Sequence, residues 1–212
     1  MNRERRLSGG NSYSRDLRFD IAAWFSECHA SQSGKTFRWI DLCCGSGIAL
    51  HEAEATCSKI SIPVEIWGLD LVGHFSRPDR ESSVKLQKTS VEAWNPDGKF
   101  DLVTCVHGLH YVGDKLSAIL KMIGCLADHG CMRANIDLAN FRFQDGKPAG
   151  RTVAKRLRTA GVDYDSRNKL LHCTRKPSAP PKDLRLNYLG ADDQIGPNST
   201  GQPAVDSYYE AV

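Results

Sequence analysis

The sequence predicts a doubly wound α/β fold, with a mostly parallel sheet and helices on both faces. Three observations carry this. Strand-like and helix-like stretches alternate from Phe37 to about Gly161, the pattern of βαβ units. "FDLVTCV", residues 100–106, is a near-continuous apolar run, as a parallel strand buried on both faces requires. "WIDLCCGSGIAL", residues 39–50, runs from a strand through a Gly-Ser-Gly turn into a helix, the arrangement of a phosphate or nucleoside site.

The elements follow in order. Leu17, Ile21, Trp24, Phe25 and Cys28 recur at helical spacing, which predicts a helix from Asp16 to Cys28 with Ser14 as its N-cap. Gly34 breaks it, and "FRWIDLC" is the first strand. "IALHEAEATCS" is a helix that ends before Pro63. "VEIWGLD" alternates and is the second strand; "VKLQKTSV" is a weaker third. "FDLVTCV" is the fourth. "DKLSAILKMIGCLADHG" places Leu116, Ile119, Leu120, Ile123 and Leu126 on one helix face, between an Asp114 N-cap and a Gly130 C-cap. "CMRANIDL" is the fifth strand, and "AGRTVAKRLRTAG" is a basic amphipathic helix ending at Gly161. "VDYDSRNKLLHCTRK" reads as a hairpin turning near residues 166–168. Beyond it come the proline-rich break "PSAPPK", a short strand "LRLNYLG" and a polar tail. That tail keeps Tyr188, Tyr208 and Tyr209, so it is expected to pack on the domain.

Composition narrows the function. At 212 residues the chain is long enough for one domain with a substantial core. It is 41% hydrophobic and 25% charged, with a formal net charge of +3, too little to argue for nucleic acid. There is no apolar run of membrane-spanning length, and the basic N-terminus lacks the apolar core of a secretory signal, so a cytoplasmic protein is expected. The Asn198 sequon has no meaning without a secretory route. Eight cysteines, at 28, 43, 44, 57, 105, 125, 131 and 173, show no C-x-x-C and no Cys/His ligand spacing. They read as small buried hydrophobes, and no metal site is expected.

The chemistry concentrates after the first two strands. Gly45 and Gly47 let the backbone approach a ligand closely. Asp70 stands at the end of the second strand, 23 residues after Gly47, where an acid binds ribose hydroxyls. A dinucleotide site calls for a third glycine, and Leu50 stands there instead. Asp41 would repel a pyrophosphate but suits a cationic amino group.

The D-x-x-x-G-x-G run from Asp41 to Gly47, with Asp70 beyond it, resembles the first motif of class I S-adenosylmethionine-dependent methyltransferases over residues 13–175. The family usually has glycine where Cys43 stands. The resemblance implies a seven-stranded sheet and S-adenosylmethionine as cofactor, with S-adenosylhomocysteine as product. It implies that Asp41, Cys43, Gly45 and Gly47 line the methionine part. Asp70 would hold the ribose, Leu71 would lie against adenine, and Ser90 and Val91 would flank the adenine amino group. The turn after the fourth strand would face the methyl group. His107 lies there and His110 three residues later, so both are candidate catalytic bases, with His107 also touching the cofactor. Tyr13 resembles the N-terminal aromatic that covers the cofactor in small-molecule members. Each of these residues also has a structural reading: Asp41 as a turn cap, Asp70 as a solvated strand end, the histidines and Tyr13 as packing groups.

Three segments are expected: an N-terminal helical cap at 1–36, the cofactor-binding core at 37–176, and a C-terminal strand and tail at 177–212. The acceptor is expected to be a small molecule, methylated at oxygen or nitrogen, by a monomer or homodimer. Residues 151–185 hold ten Lys or Arg against three acids, which keeps an RNA or peptide substrate as an alternative. "VHGLHY" replaces the D/N/S-P-P-Y/F motif of nucleic-acid amino methylation and disfavours it. A non-catalytic S-adenosylmethionine-binding protein is the remaining alternative.

Overall fold

The computed structural model describes residues 4–78, 81–174, 184–193 and 204–212. The proline-rich stretch 177–182 and Asn198 lie outside the described residues. The chain forms two compact units, Met1–Val106 and His107–Val212, a division that falls inside the stretch expected to be the core.

Ser12 and Asp20 both cap helices, so the first unit opens with two helices where the sequence pattern predicts one. Helix α1 spans Tyr13–Leu17 and α2 spans Ile21–Ser31. The break falls at Arg18, which is left-handed at φ 51°. The chain restarts at Asp20, whose carboxylate accepts from the Ala23 amide at 3.0 Å. The expected Ser14 cap is displaced to Ser12, whose hydroxyl accepts from Arg15 N. The apolar spacing survives the break: Leu17, Ile21 and Phe25 are all fully buried.

Strands β1 (Phe37–Leu42), β2 (Val64–Asp70), β3 (Lys85–Lys88) and β4 (Phe100–Cys105) pair in parallel in the order β3-β2-β1-β4. The helix α3 (Ile48–Lys59) joins β1 to β2. Every residue of β4 is buried, as its apolar run requires. Phe25 packs on Phe37 and Trp39, with ring centroids 5.9 and 6.4 Å apart, and so seats α2 on the strands. The N-terminal segment is tied to α3. Glu52 accepts from Arg6 Nε and from the Leu7 amide, each at 2.7 Å.

In the second unit a 3₁₀ turn, Gly108–Tyr111, precedes α4 (Lys115–Gly124). Asp114 caps α4 as predicted, its carboxylate accepting from Ser117 N at 3.1 Å. The helix stops at Gly124 rather than Gly130, because β5 (Leu126–Asn135) begins five residues earlier than the expected strand. Leu126 is buried in the strand, so its apolar character fits either assignment. After β6 (Phe141–Phe143) and α5 (Gly150–Thr159), β7 (Asp163–Asp165) and β8 (Leu170–Cys173) form the expected hairpin, and β8 pairs antiparallel with β5. Strands β9 (Leu186–Asp193) and β10 (Val205–Ala211) form a second hairpin, and β10 pairs in parallel with β6. The fold class is the expected one, mixed α/β with a seven-stranded, mostly parallel sheet. No helix among the described residues is long and apolar enough to cross a membrane.

Candidate functional site

Asp41 lies at the carboxyl end of β1, fully buried, opposite Gly68 on one side and Thr104 on the other. Tyr13 donates its hydroxyl to Asp41 Oδ2 at 2.7 Å, and Thr104 donates to Oδ1. The indole N–H of Trp39 donates to Thr104 Oγ1 at 2.8 Å. An indole can only donate, so the Thr104 oxygen accepts there and its one proton is committed to Asp41. Burial raises the Asp41 carboxyl to about 7, opposed by the hydrogen bonds from Thr104 and Tyr13 and reinforced by the charge of Asp70. Burial and the neighbouring Asp41 also push the Tyr13 hydroxyl up. Tyr13, expected to cover the cofactor, is therefore buried against this carboxylate, its ring edge-on to Trp39 at 6.3 Å.

The following turn needs left-handed backbone at three positions: Cys43 at φ 62°, Gly45 at φ 62° and Gly47 at φ 80°. Two are glycine. Cys43 carries a Cβ into that region at a cost of about 1–2 kcal/mol, which gives a physical reason for the glycine usual at this position. At Gly47 a Cβ would also stand 2.9 Å from Leu86 Cδ1, so the leucine side chain would have to move.

Asp70, at the end of β2, draws the turn and the second strand together. Its Oδ2 accepts from Gly45 N at 3.1 Å, and its Oδ1 from Val72 N at 2.9 Å and Gly73 N at 3.2 Å. Two motifs 25 residues apart in sequence are thus joined directly. Leu71 beside it is 67% exposed. The chain after β3 is tied to the same point by Thr89 N, which donates to the Asp70 carbonyl at 3.2 Å. Ser90 follows, half-buried, with its hydroxyl accepting from Ala93 N at 3.1 Å, and Val91 is buried.

In the second unit, His107 begins the 3₁₀ turn in a left-handed conformation at φ 58°. Its ring stacks on that of His110, with centroids 5.8 Å apart and planes at 19°. His110 is fully buried. The turn brings the two predicted bases side by side.

The sequence pattern did not single out Thr104 or Trp39. A signal existed: Thr104 is a hydroxyl in an otherwise apolar strand. Its value depends on the register that sets it opposite Asp41. All eight cysteines are free thiols, and six of them are buried.

Residues 13–175 match the family described as "Methyltransferase domain". The chain belongs to that family of methyltransferase domains. No curated protein matches this sequence. Among solved structures, it is similar to the plantazolicin methyltransferase BpumL in complex with a monoazolic desmethylPZN analogue and SAH. That match has 12% identity over 74% of this chain and 55% of the other, with a TM-score of 0.45. It is also similar to SAM-bound CalS10, an amino pentose methyltransferase from Micromonospora echinaspora involved in calicheamicin biosynthesis. Here identity is 24% over 56% of this chain and 54% of the other, with a TM-score of 0.41. An S-adenosylmethionine-dependent methyltransferase from Mesorhizobium loti matches at 20% identity over 57% and 56% of the two chains, with a TM-score of 0.41. The matches span about half the length of these three proteins.

The site's donor set fits the cofactor. Three backbone amides orient the Asp70 carboxylate at the end of β2, and a carboxylate is the acceptor a ribose hydroxyl needs. The exposed Leu71 beside it offers an apolar face to a flat ring.

Proposed function

We propose that this chain transfers the methyl group of S-adenosylmethionine to a small-molecule acceptor, at oxygen or nitrogen. The observation that carries the reading is the hydrogen bond from Gly45 to Asp70 inside the matched region, which makes one surface of the glycine turn and the ribose-binding acid. Gly45, Gly47 and Cys43 form the backbone cradle for the methionine part. Asp41, fixed by Thr104 and Tyr13, is the buried carboxyl at the start of this turn, and a cationic amino group favours its ionised form. Asp70 takes the ribose, and Leu71, Ser90 and Val91 border the adenine. Bound there, the cofactor supplies a methyl group already activated by its sulfonium. The protein's own tasks are to align the acceptor and to take a proton from it. We assign His107, the nearer in sequence to the end of β4, to the cofactor and His110 to the acceptor's proton. A positioned base of this kind is worth roughly 10²–10⁴-fold.

The reading divides the chain into an N-terminal cap at 1–36, a core at 37–176 and a C-terminal element at 177–212. A cytoplasmic location agrees with eight free thiols. Conversion of S-adenosylmethionine to S-adenosylhomocysteine, measured across panels of hydroxylated and amino metabolites, RNA and peptides, tests the substrate class. Turnover with metabolites alone supports the reading. Salt-sensitive turnover on RNA would replace it with the nucleic-acid reading that the basic face of α5 keeps open.

A further inference from the structure

The matched family region ends at residue 175, yet the hairpin β9–β10 beyond it is bonded to one turn of the second unit. Lys115 is fully buried and spends all three ammonium protons. They go to the Val112 carbonyl at 2.8 Å, the Val205 carbonyl at 2.6 Å and Ser207 Oγ at 2.8 Å. The Ser207 hydroxyl in turn donates to the Gly113 carbonyl at 2.6 Å. Tyr209, buried and stacked on Phe141, accepts from Leu116 N and donates to Asp114, each at 3.2 Å. From β9, Tyr188 closes over Gly113 so tightly that a Cβ there would sit 2.8 Å from its hydroxyl. Both strands of the hairpin therefore grip residues 112–116. Val112 closes the 3₁₀ turn by donating to the Leu109 carbonyl at 3.4 Å, and that turn carries His107 and His110.

We propose that the C-terminal hairpin is the positioning element of the acceptor end, holding the histidine turn in place through Lys115, Ser207 and Tyr209. The inference rests on reading that turn as the acceptor end. A hairpin serving stability alone needs only an apolar face. This one buries a cation, and burial lowers the Lys115 ammonium to about 8 against the pull of Asp206 and Asp114. Its three acceptors come from both sides of the junction, so the cation defines where the turn sits relative to β10. Lys115, Ser207 and Tyr209 are positioning residues, acting through the turn.

The test uses histidine ring resonances of the full chain, recorded with S-adenosylhomocysteine, for wild type, Lys115→Met, Ser207→Ala and Tyr209→Phe. The last two are small changes that keep the test open if Lys115→Met does not fold. The expected result is displaced His107 and His110 signals with His129 and His172 unmoved and with S-adenosylhomocysteine affinity unchanged. Unmoved His107 and His110 signals in the folded variants would overturn the proposal, as would equal displacement of all four histidines, which is general loosening. A wild-type chain that fails to bind S-adenosylhomocysteine would strike the cofactor reading instead, while the histidine comparison would still decide whether the hairpin holds the turn.

Discussion

Asp41 shows how one buried carboxylate ties pH to stability. Its folded value of about 7 lies above the ordinary 3.8 because burial penalises the charge. Between those values the unfolded chain has lost a proton that the folded chain keeps. The contribution of this group to stability is therefore full below about pH 4 and is lost as pH rises through about 7. Asp41→Asn cannot ionise and should lack this slope, with the Tyr13 hydroxyl free to reverse and accept from the new amide. Urea unfolding at about pH 5 and about pH 8 compares the two proteins. Equal slopes would contradict the assignment. Tyr13→Phe keeps the packing on Trp39 but removes a donor from Asp41, and should cost about 1–3 kcal/mol at a pH where Asp41 is ionised.

At the scale of elements, β2 meets α3 and β3 at Gly68. A Cβ there would stand 2.5 Å from Leu50 Cδ1 and 2.8 Å from both Cys44 Sγ and Leu86 Cδ2. Gly68→Ala should destabilise by about 1–3 kcal/mol through overpacking; thermal unfolding with an unchanged midpoint would show that the interface has room. The same strand shows what the sequence made legible. "VEIWGLD" alternates, and β2 spans the same seven residues, Val64–Asp70. "FDLVTCV" is apolar throughout, and β4 is buried throughout. The motif turn was legible because glycine and a strand-end acid have few other uses in that pattern. What stayed hidden depends on partners distant in sequence or on backbone that side chains do not announce. Arg18 turns left-handed with no glycine to mark it, so two helices read as one. Thr104 gains its role only when strand register sets it beside Asp41. "VDSYYEA" became β10 because Tyr209 and Ser207 find polar partners at residues 113–116, which no periodicity encodes.

For the whole molecule, the two histidines decide between proton removal and positioning alone. His110→Ala should cut single-turnover methyl transfer by about two or more orders of magnitude and change its pH profile, with S-adenosylhomocysteine affinity near normal. Wild-type rates in both His107→Ala and His110→Ala would mean that alignment does the work without a histidine base. Beneath this stands the claim that the glycine turn and Asp70 form one cofactor surface. Calorimetric titration of S-adenosylhomocysteine into the wild-type chain and into folded Asp70→Ala tests it most directly, with NAD as the comparison ligand. Saturable binding of S-adenosylhomocysteine, none of NAD, and a loss of roughly 1.5–3 kcal/mol in the variant are expected. Tight NAD binding with none of S-adenosylhomocysteine, or an Asp70→Ala chain that binds S-adenosylhomocysteine as well as wild type, would contradict it.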